Sequence, residues 1–306
     1  MGRVVTVTMN PAVDVTVEVD RVRPNAKLRT GAPQRDPGGG GINVARVLTR
    51  LGVEAEAWFT VGGPAGEQLK GLLDQEGVSH RGIPILGDTR ENVTVTEKGS
   101  GDQYRFVLPG PTMQEEEWRT VLEEISSMNP PPLWVVGSGS LPPGVPDDFW
   151  GRVAAVAAEH GIQVALDTSG DALAAALEVG VELLKPNARE LGEVAGRTLE
   201  TEEDQEAAAR SVVEAGGARL LVLSLGASGA LGVGSDGFLE RVPTPSVRPR
   251  SRVGAGDSMM AGLVAALAAG EDWSRALRTG VAAGAAAVAT EGTGLARAGD
   301  VERLLT

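Results

Sequence analysis

The stretch RVGAGDSMMA, residues 252–261, sets one carboxylate, Asp257, after Gly254, Ala255 and Gly256 and ahead of an Ala-rich apolar run. That order predicts a loop entering a helix. Glycines at such an entrance open backbone conformations closed to other residues and let N–H groups converge on an anion. A helix N-terminus carries about half a positive charge, so it can steady a transferring phosphoryl group while Asp257 accepts a hydroxyl proton. The same residues would also suit a plain helix cap after a glycine turn.

A second glycine-rich entrance is GGGGINVARVLTRLG, beginning at Gly38. Ile42, Val44, Val47, Leu48 and Leu51 recur at helical spacing and Gly52 stops the run. Gly39 and its neighbours permit close backbone approach to a ligand, and Asn43 in the first turn offers both donor and acceptor. A dinucleotide site fits poorly, because the run follows Pro37 rather than a strand and no acid-ended strand comes about 20 residues later. Asp14, near a strand end, can accept hydrogen bonds from two neighbouring sugar hydroxyls, or simply sit in a turn or edge strand. In LLKPNARELG, Asn187 and Glu190 share one helical face, a pairing that suits a hydrated magnesium ion and equally suits a helix cap; Lys185 beside them can touch phosphate. Ser138 and Ser140 in GSGSLPPG, and Ser224, Gly226 and Gly229 in SLGASGA, follow predicted strands. Arg90 and Arg105 are candidate phosphate clamps, or solvated surface cations. His80 and His160, the two histidines, lie in ordinary helix-end or loop contexts, which argues against histidine acid–base chemistry or a two-histidine metal site.

The elements that must hold these residues alternate. Strands are predicted at 4–9, 55–61, 133–136, 163–166, a segment ending at 184, and 220–224. Helices are predicted at 65–76, 115–127, 147–160, 171–178 and 201–214, with a hairpin at 230–233 and 238–242 and closing helices at 258–269 and 273–290. Such alternation implies an α/β/α three-layer sandwich around a mostly parallel sheet. Between 81 and 108 the pattern breaks into short β-like segments at 81–86, 92–97 and 104–108. Together, about 12–35 and 81–108 are read as a small β-sheet lid on a single domain spanning 1–306. No GxxxxGK[ST] loop and no internal repeat is present.

The formal charge of -13 speaks against nucleic acid or an anionic membrane as partner. There is no cysteine, so thiolate metal sites are excluded. The first residues lack a signal-peptide core, and the small-residue run 281–290 is far short of the roughly 20 residues needed to span a bilayer, so the expected compartment is the cytoplasm.

With DPGGGGINVAR, SGSLPPGV, KPNARE and VGAGDSM in this order, the whole chain resembles the ribokinase-like (PfkB) carbohydrate kinases. KLRTGAP, QYRFV and LSLGASGALGV resemble the branch acting on fructose 6-phosphate. The resemblance implies transfer of the ATP γ-phosphoryl to the 1-hydroxyl of that sugar, with Asp257 as base and Gly254, Ala255 and Gly256 as anion hole. It implies that Asp14, Gly39, Gly40, Asn43 and Ser140 face the sugar, and that Lys27 and Arg90 hold its phosphate. Lys185, Asn187, Ser224, Gly226 and Gly229 would line ATP, with Glu190 near Mg2+ through water. A K+ ion bound by carbonyls, Val253 among them, and a homodimer through the lid are also implied. Kinases for tagatose 6-phosphate or fructose 1-phosphate are alternatives, and a sugar- or nucleotide-binding regulator without turnover is an alternative of another class. Many members acting on those other sugars carry Lys where this chain has Gly40, which favours fructose 6-phosphate. At TEGTG, 290–294, the chain lacks the Asn and Arg of similar members, a departure that bears on potassium.

Overall fold

The computed structural model describes residues 2–251, 253–290 and 294–305. In chain order the first part comprises β1 (Val4–Thr8), β2 (Ala12–Val19), β3 (Gln34–Gly38), α1 (Gly40–Arg50), β4 (Ala55–Val61), α2 (Gly63–Gln75), β5 (His80–Pro84), β6 (Arg90–Glu97) and β7 (Gln103–Phe106). Alternating helices and strands follow: α3 (Glu115–Ser126), β8 (Trp134–Ser138), α4 (Phe149–Glu159), β9 (Gln163–Asp167), α5 (Gly170–Val179), β10 (Val181–Leu184), α6 (Ala188–Ala195), α7 (Glu202–Glu214) and β11 (Ala218–Ser224). The hairpin β12 (Ala230–Gly234) and β13 (Leu239–Val242) leads to α8 (Ala255–Ala268), α9 (Trp273–Val288) and α10 (Ala298–Leu305).

Nine strands form one sheet in the order β13-β12-β11-β10-β9-β8-β1-β4-β5. Pairing is parallel from β5 through β11 and antiparallel for β12 and β13. A strand covered on both faces has no side to give to water, and VVTVT of β1 is accordingly buried along its whole length. Val5 and Val7 pack toward α3–α7, while Val4 packs with α1, α8, α9 and α10 on the opposite face. Helix α2 joins that second face through Leu69 and Leu73 against Phe59. Helices α8 and α9 approach closely because Gly262 faces Gly280: a Cβ on Gly262 would lie 2.7 Å from the Thr279 carbonyl oxygen.

Four strands form a second sheet, β3-β2-β6-β7, with β2 and β6 parallel. Its inner end is anchored where Val13 packs with Ile42 and Phe59. Its outer strand β7 is exposed throughout. One expectation fails here: residues 81–86 do not belong to this sheet. Strand β5 pairs with β4 at the edge of the large sheet, with Ala57 opposite His80 and Val61 opposite Pro84. An edge strand has only one neighbour to bury it, so β5 shows the mixed pattern of a small-sheet strand. Helix α10, to which the sequence reading assigned no element, packs Val301 onto the α8–α9 face.

Candidate active site

The carboxyl ends of β8, β9 and β10 lie side by side, because parallel pairing brings equivalent ends together. Ser138 ends β8, Asp167 ends β9, and Lys185 follows β10. A cavity of about 180 Å³ opens over them, lined by Ser138, Ser140, Asp167, Thr168, Glu190 and Asp257 among others.

Asp257 enters this cavity as the third residue of α8. Gly254 takes the left-handed conformation, φ 72°, that turns the incoming chain into the helix, and α8 has no side-chain cap hydrogen bond. Among the described residues the Asp257 carboxylate forms no capping box. Its Oδ2 accepts a 2.9 Å hydrogen bond from Asn43 Nδ2. Burial, followed by the nearby Asp167 carboxylate, pushes its pKa up to about 6, against the lowering influence of Asn43 and Lys185. A carboxylate so placed is ionised near neutrality and is a better proton acceptor than an ordinary aspartate.

The glycine run is held by close neighbours. Gly39, φ 120°, precedes α1, and Ile42 N donates to Thr8 Oγ1 at 2.9 Å. A side chain at Gly40 would overlap Ser138 Oγ, and a Cβ at Gly41 would lie 2.8 Å from the Val7 carbonyl oxygen. Helix α1 is thereby pressed against β1 and β8, and Asn43 in its first turn reaches Asp257. Arg46, one turn on, donates to Asn43 Oδ1 at 3.0 Å and to both carboxylate oxygens of Glu76.

On the small-sheet side, Asp14 Oδ1 accepts from Asn92 Nδ2 at 2.9 Å across the parallel β2–β6 pair. Burial raises the Asp14 pKa, opposed by Asn92, Arg105 and Arg90. Arg105, Asn92, Val253 and Asp14 line a small cavity of about 80 Å³. Arg90 donates to the carbonyl oxygens of Leu108 and Asn10, at 2.8 and 2.9 Å, while its buried Nε has no hydrogen-bond partner. Two of the five guanidinium N–H groups are thus engaged, and Arg90 lines neither cavity. Ser140 Oγ accepts from Asn10 Nδ2 at 3.2 Å, joining β1 to the turn after β8. Lys27 is exposed in the loop between β2 and β3 and lines neither cavity.

Lys185 is 4% exposed and pairs with Asp167 at 2.9 Å. Its Nζ lies 3.6 Å from where a Cβ on Gly256 would sit, so the ammonium stands beside the start of α8. Asn187 caps α6: its side chain accepts from Glu190 N at 3.0 Å, and Glu190 Oε2 accepts from Asn187 N at 2.9 Å. The helix-cap reading of this pair is thus realised, and Glu190 lines the Asp257 cavity as well. Among the described residues no group of three or more His, Asp or Glu gathers to hold a metal ion. A magnesium ion that keeps its waters needs no such group, and the carboxylates of Glu190 and Asp167 facing one cavity are fitting acceptors for the hydrogen bonds those waters donate. Ser224 is bridged to Asn187, and its N–H and Oγ both donate to Pro186 O. Gly226 and Gly229 have φ 58° and 99° in the turn that follows, and a side chain on Gly229 would overlap Val242 O. These residues lie together beyond the ends of β10 and β11. Val253 N donates to Ser251 Oγ at 3.2 Å. Of the segment 290–294, where the sequence departs from similar members, residues 291–293 lie outside the described residues, as does Arg252.

Sequence reasoning missed Asp167, Asn92, Asn10 and Arg46. Asp167 could have been found by the strand-end rule that singled out Ser138, and Arg46 by its spacing of three from Asn43.

The model of the pfkB family carbohydrate kinase matches residues 4–298. The chain is 45% identical over 301 residues to the ATP-dependent 6-phosphofructokinase isozyme 2 of Mycobacterium tuberculosis, covering 98% of this chain and 88% of that protein. Crystal structures of Escherichia coli phosphofructokinase-2 superpose with a TM-score of 0.95 for its potassium complex, at 40% identity, and 0.92 for its fructose-6-phosphate complex, at 39% identity. Each covers 100% of this chain and 98% of that one. A tetrameric inhibited form of the same enzyme has a TM-score of 0.93, at 40% identity and with the same coverage.

Proposed function

The chain belongs to the pfkB family of carbohydrate kinases, and on that premise we propose that it transfers the γ-phosphoryl group of ATP to the 1-hydroxyl of fructose 6-phosphate, giving fructose 1,6-bisphosphate. The observation that carries this reading is Asp257 in a cavity at the α8 N-terminus, held by Asn43 and raised to about 6.

In this mechanism Asp257 takes the proton of the sugar hydroxyl as its oxygen bonds to the γ-phosphorus and the bond to the β,γ-bridging oxygen of ATP breaks. The N–H groups of Gly254, Ala255 and Gly256 and the Lys185 ammonium meet the charge that develops on the phosphoryl oxygens. Asp14, held by Asn92, accepts sugar hydroxyls, and Gly39, Gly40, Asn43 and Ser140 complete that side. Arg90, through N–H groups of its guanidinium not engaged by Leu108 and Asn10, and Lys27, from its exposed loop, would hold the sugar phosphate. Lys185, Asn187, Ser224, Gly226 and Gly229 line the nucleotide side. Magnesium bound with ATP neutralises phosphate charge, and Glu190 and Asp167 would hold its waters. A potassium site using the Val253 carbonyl belongs to the same reading, supported by the E. coli complex.

The small sheet acts as a lid in this reading, and its exposed apolar residues, Phe106 at 57% and Val107 at 65%, support a homodimer through it. Sedimentation of Phe106→Glu, expected as a monomer, tests that. Among the described residues no helix is long and apolar enough to cross a membrane.

Initial rates of ADP release with fructose 6-phosphate, fructose 1-phosphate and tagatose 6-phosphate, with and without potassium, test the substrate. The expected result is a preference of at least about tenfold in kcat/KM for fructose 6-phosphate, about 1.4 kcal/mol in the transition state. A tenfold preference for either other sugar overturns that choice, and no turnover with any sugar leaves a binding protein.

A further inference from the structure

We propose that Arg46 is a positioning residue for this reaction, fixing the Asn43 amide so that its NH2 group, and not its carbonyl, faces Asp257. The proposal rests on Asp257 being the base.

An amide side chain has two nearly isosteric ends, so its orientation is decided by its partners. Asn43 touches two groups of opposite demand. Asp257 when ionised can only accept, and Arg46 can only donate. With Arg46 Nη1 3.0 Å from Asn43 Oδ1, the other end, Nδ2, is left to donate to Asp257 at 2.9 Å. Remove the guanidinium and the amide is held at one end only, by the carboxylate's demand for a donor, with its carbonyl end free to swing.

Arg46 is itself locked. It is 5% exposed, and its Nε and Nη2 form a fork on Glu76 at 2.9 and 2.5 Å. Nη1 also donates to Pro37 O at 3.2 Å, at the strand leading into the glycine run. Arg50, one turn further along α1, lies 3.3 Å from the same Glu76 and holds its carboxylate in place. A buried, bidentate arginine loses little further freedom when its remaining donor engages Asn43, which suits it to holding a neighbour still. The groups that reach Asp257 from the packed elements are Asn43 from α1, Asp167 from β9, Lys185 after β10 and, at longer range, Asp14 from β2. Asn43 is the neutral one, and it is the one whose polarity toward Asp257 depends on a rotatable amide.

The experiment is a double-mutant cycle on kcat, with KM for both substrates and a thermal unfolding curve for each variant. Arg46→Met is expected to lower kcat by about twentyfold with KM for ATP within about twofold, and to change kcat by less than about twofold in an Asn43→Ala background. Equal losses in both backgrounds would overturn the proposal, because an arginine that only supports α1 acts whether or not Asn43 is present. If Arg46→Met does not fold, Arg46→Lys, which cannot bridge Glu76 and Asn43 together, is carried through the same cycle. Asp257→Asn is run alongside: unchanged turnover there would remove the base itself, whereas an inactive Asp257→Asn with an additive cycle would remove the Arg46 assignment alone.

Discussion

At the start of α1 a Cβ on Gly38 would lie 2.6 Å from the Asp14 carboxyl carbon, and one on Gly41 2.8 Å from the Val7 carbonyl oxygen. At the start of α8 a Cβ on Gly256 would meet nothing among the described residues nearer than Lys185 Nζ, at 3.6 Å. Both entrances are rich in glycine, and they join at the hydrogen bond between Asn43 and Asp257. In the first, glycine is demanded by protein packed against it. In the second, Gly254 is needed for its backbone angle and for its fit against Leu295, but Gly256 is small beside open space. Missing side-chain volume that no atom of the described residues fills is what a ligand-binding loop requires, so the two runs assign different work to the same residue type.

The difference can be broken by substitution. Gly41→Val should be the most damaging, destabilising the fold by about 3 kcal/mol in urea unfolding, since its neighbours are the Thr8 hydroxyl, which is tied to Ile42 N, and Val7 backbone atoms that cannot step aside. An unfolding midpoint like that of the parent would show that the α1 glycines are not packing residues. Gly256→Ala should leave the unfolding midpoint in place while lowering kcat about tenfold or more, because a methyl group would stand between the helix N-terminus and the phosphoryl group. Loss of stability with unchanged kcat would reverse the assignment.

Two smaller effects follow from the raised pKa of Asp257. As the proposed base Asp257 must be ionised, so kcat/KM should fall below a midpoint of about pH 6, and a limb near 4 would mean a solvated carboxylate. Stability runs the other way. A folded-state pKa above the usual 3.8 means that the fold binds this proton more tightly than the unfolded chain, so the favourable contribution is present below about pH 4 and lost as pH rises through 6. Asp257→Asn should therefore raise Tm by about 2 °C at pH 8, with the gain vanishing toward pH 4. A Tm difference independent of pH would contradict this.

The layered fold was legible because parallel strands covered on both faces read as apolar runs, as in VVTVT of β1 and WVVGS of β8. Strand β5 was misplaced because HRGIP buries only Ile83 fully and is followed by the turn before β6, so its local pattern matched the small sheet. Partnership with β4 is a long-range fact that local pattern does not carry. For the site, glycine runs and strand ends pointed to Asp257, Asn43, Ser138 and Lys185. The pairing of Arg46 with Glu76 stayed hidden, since thirty residues separate them and it depends on how α1 and α2 pack. For Asn187 and Glu190 the sequence allowed two roles, and the cap is the one their hydrogen bonds display.

The most direct test of the account is single-turnover phosphoryl transfer by Asp257→Asn, with ATP and fructose 6-phosphate affinities measured on the same preparation. The account predicts that transfer slows at least about a hundredfold while both affinities stay within about threefold. Transfer at the parent rate would contradict it, because the reaction would then have no need of the one carboxylate on which the site converges.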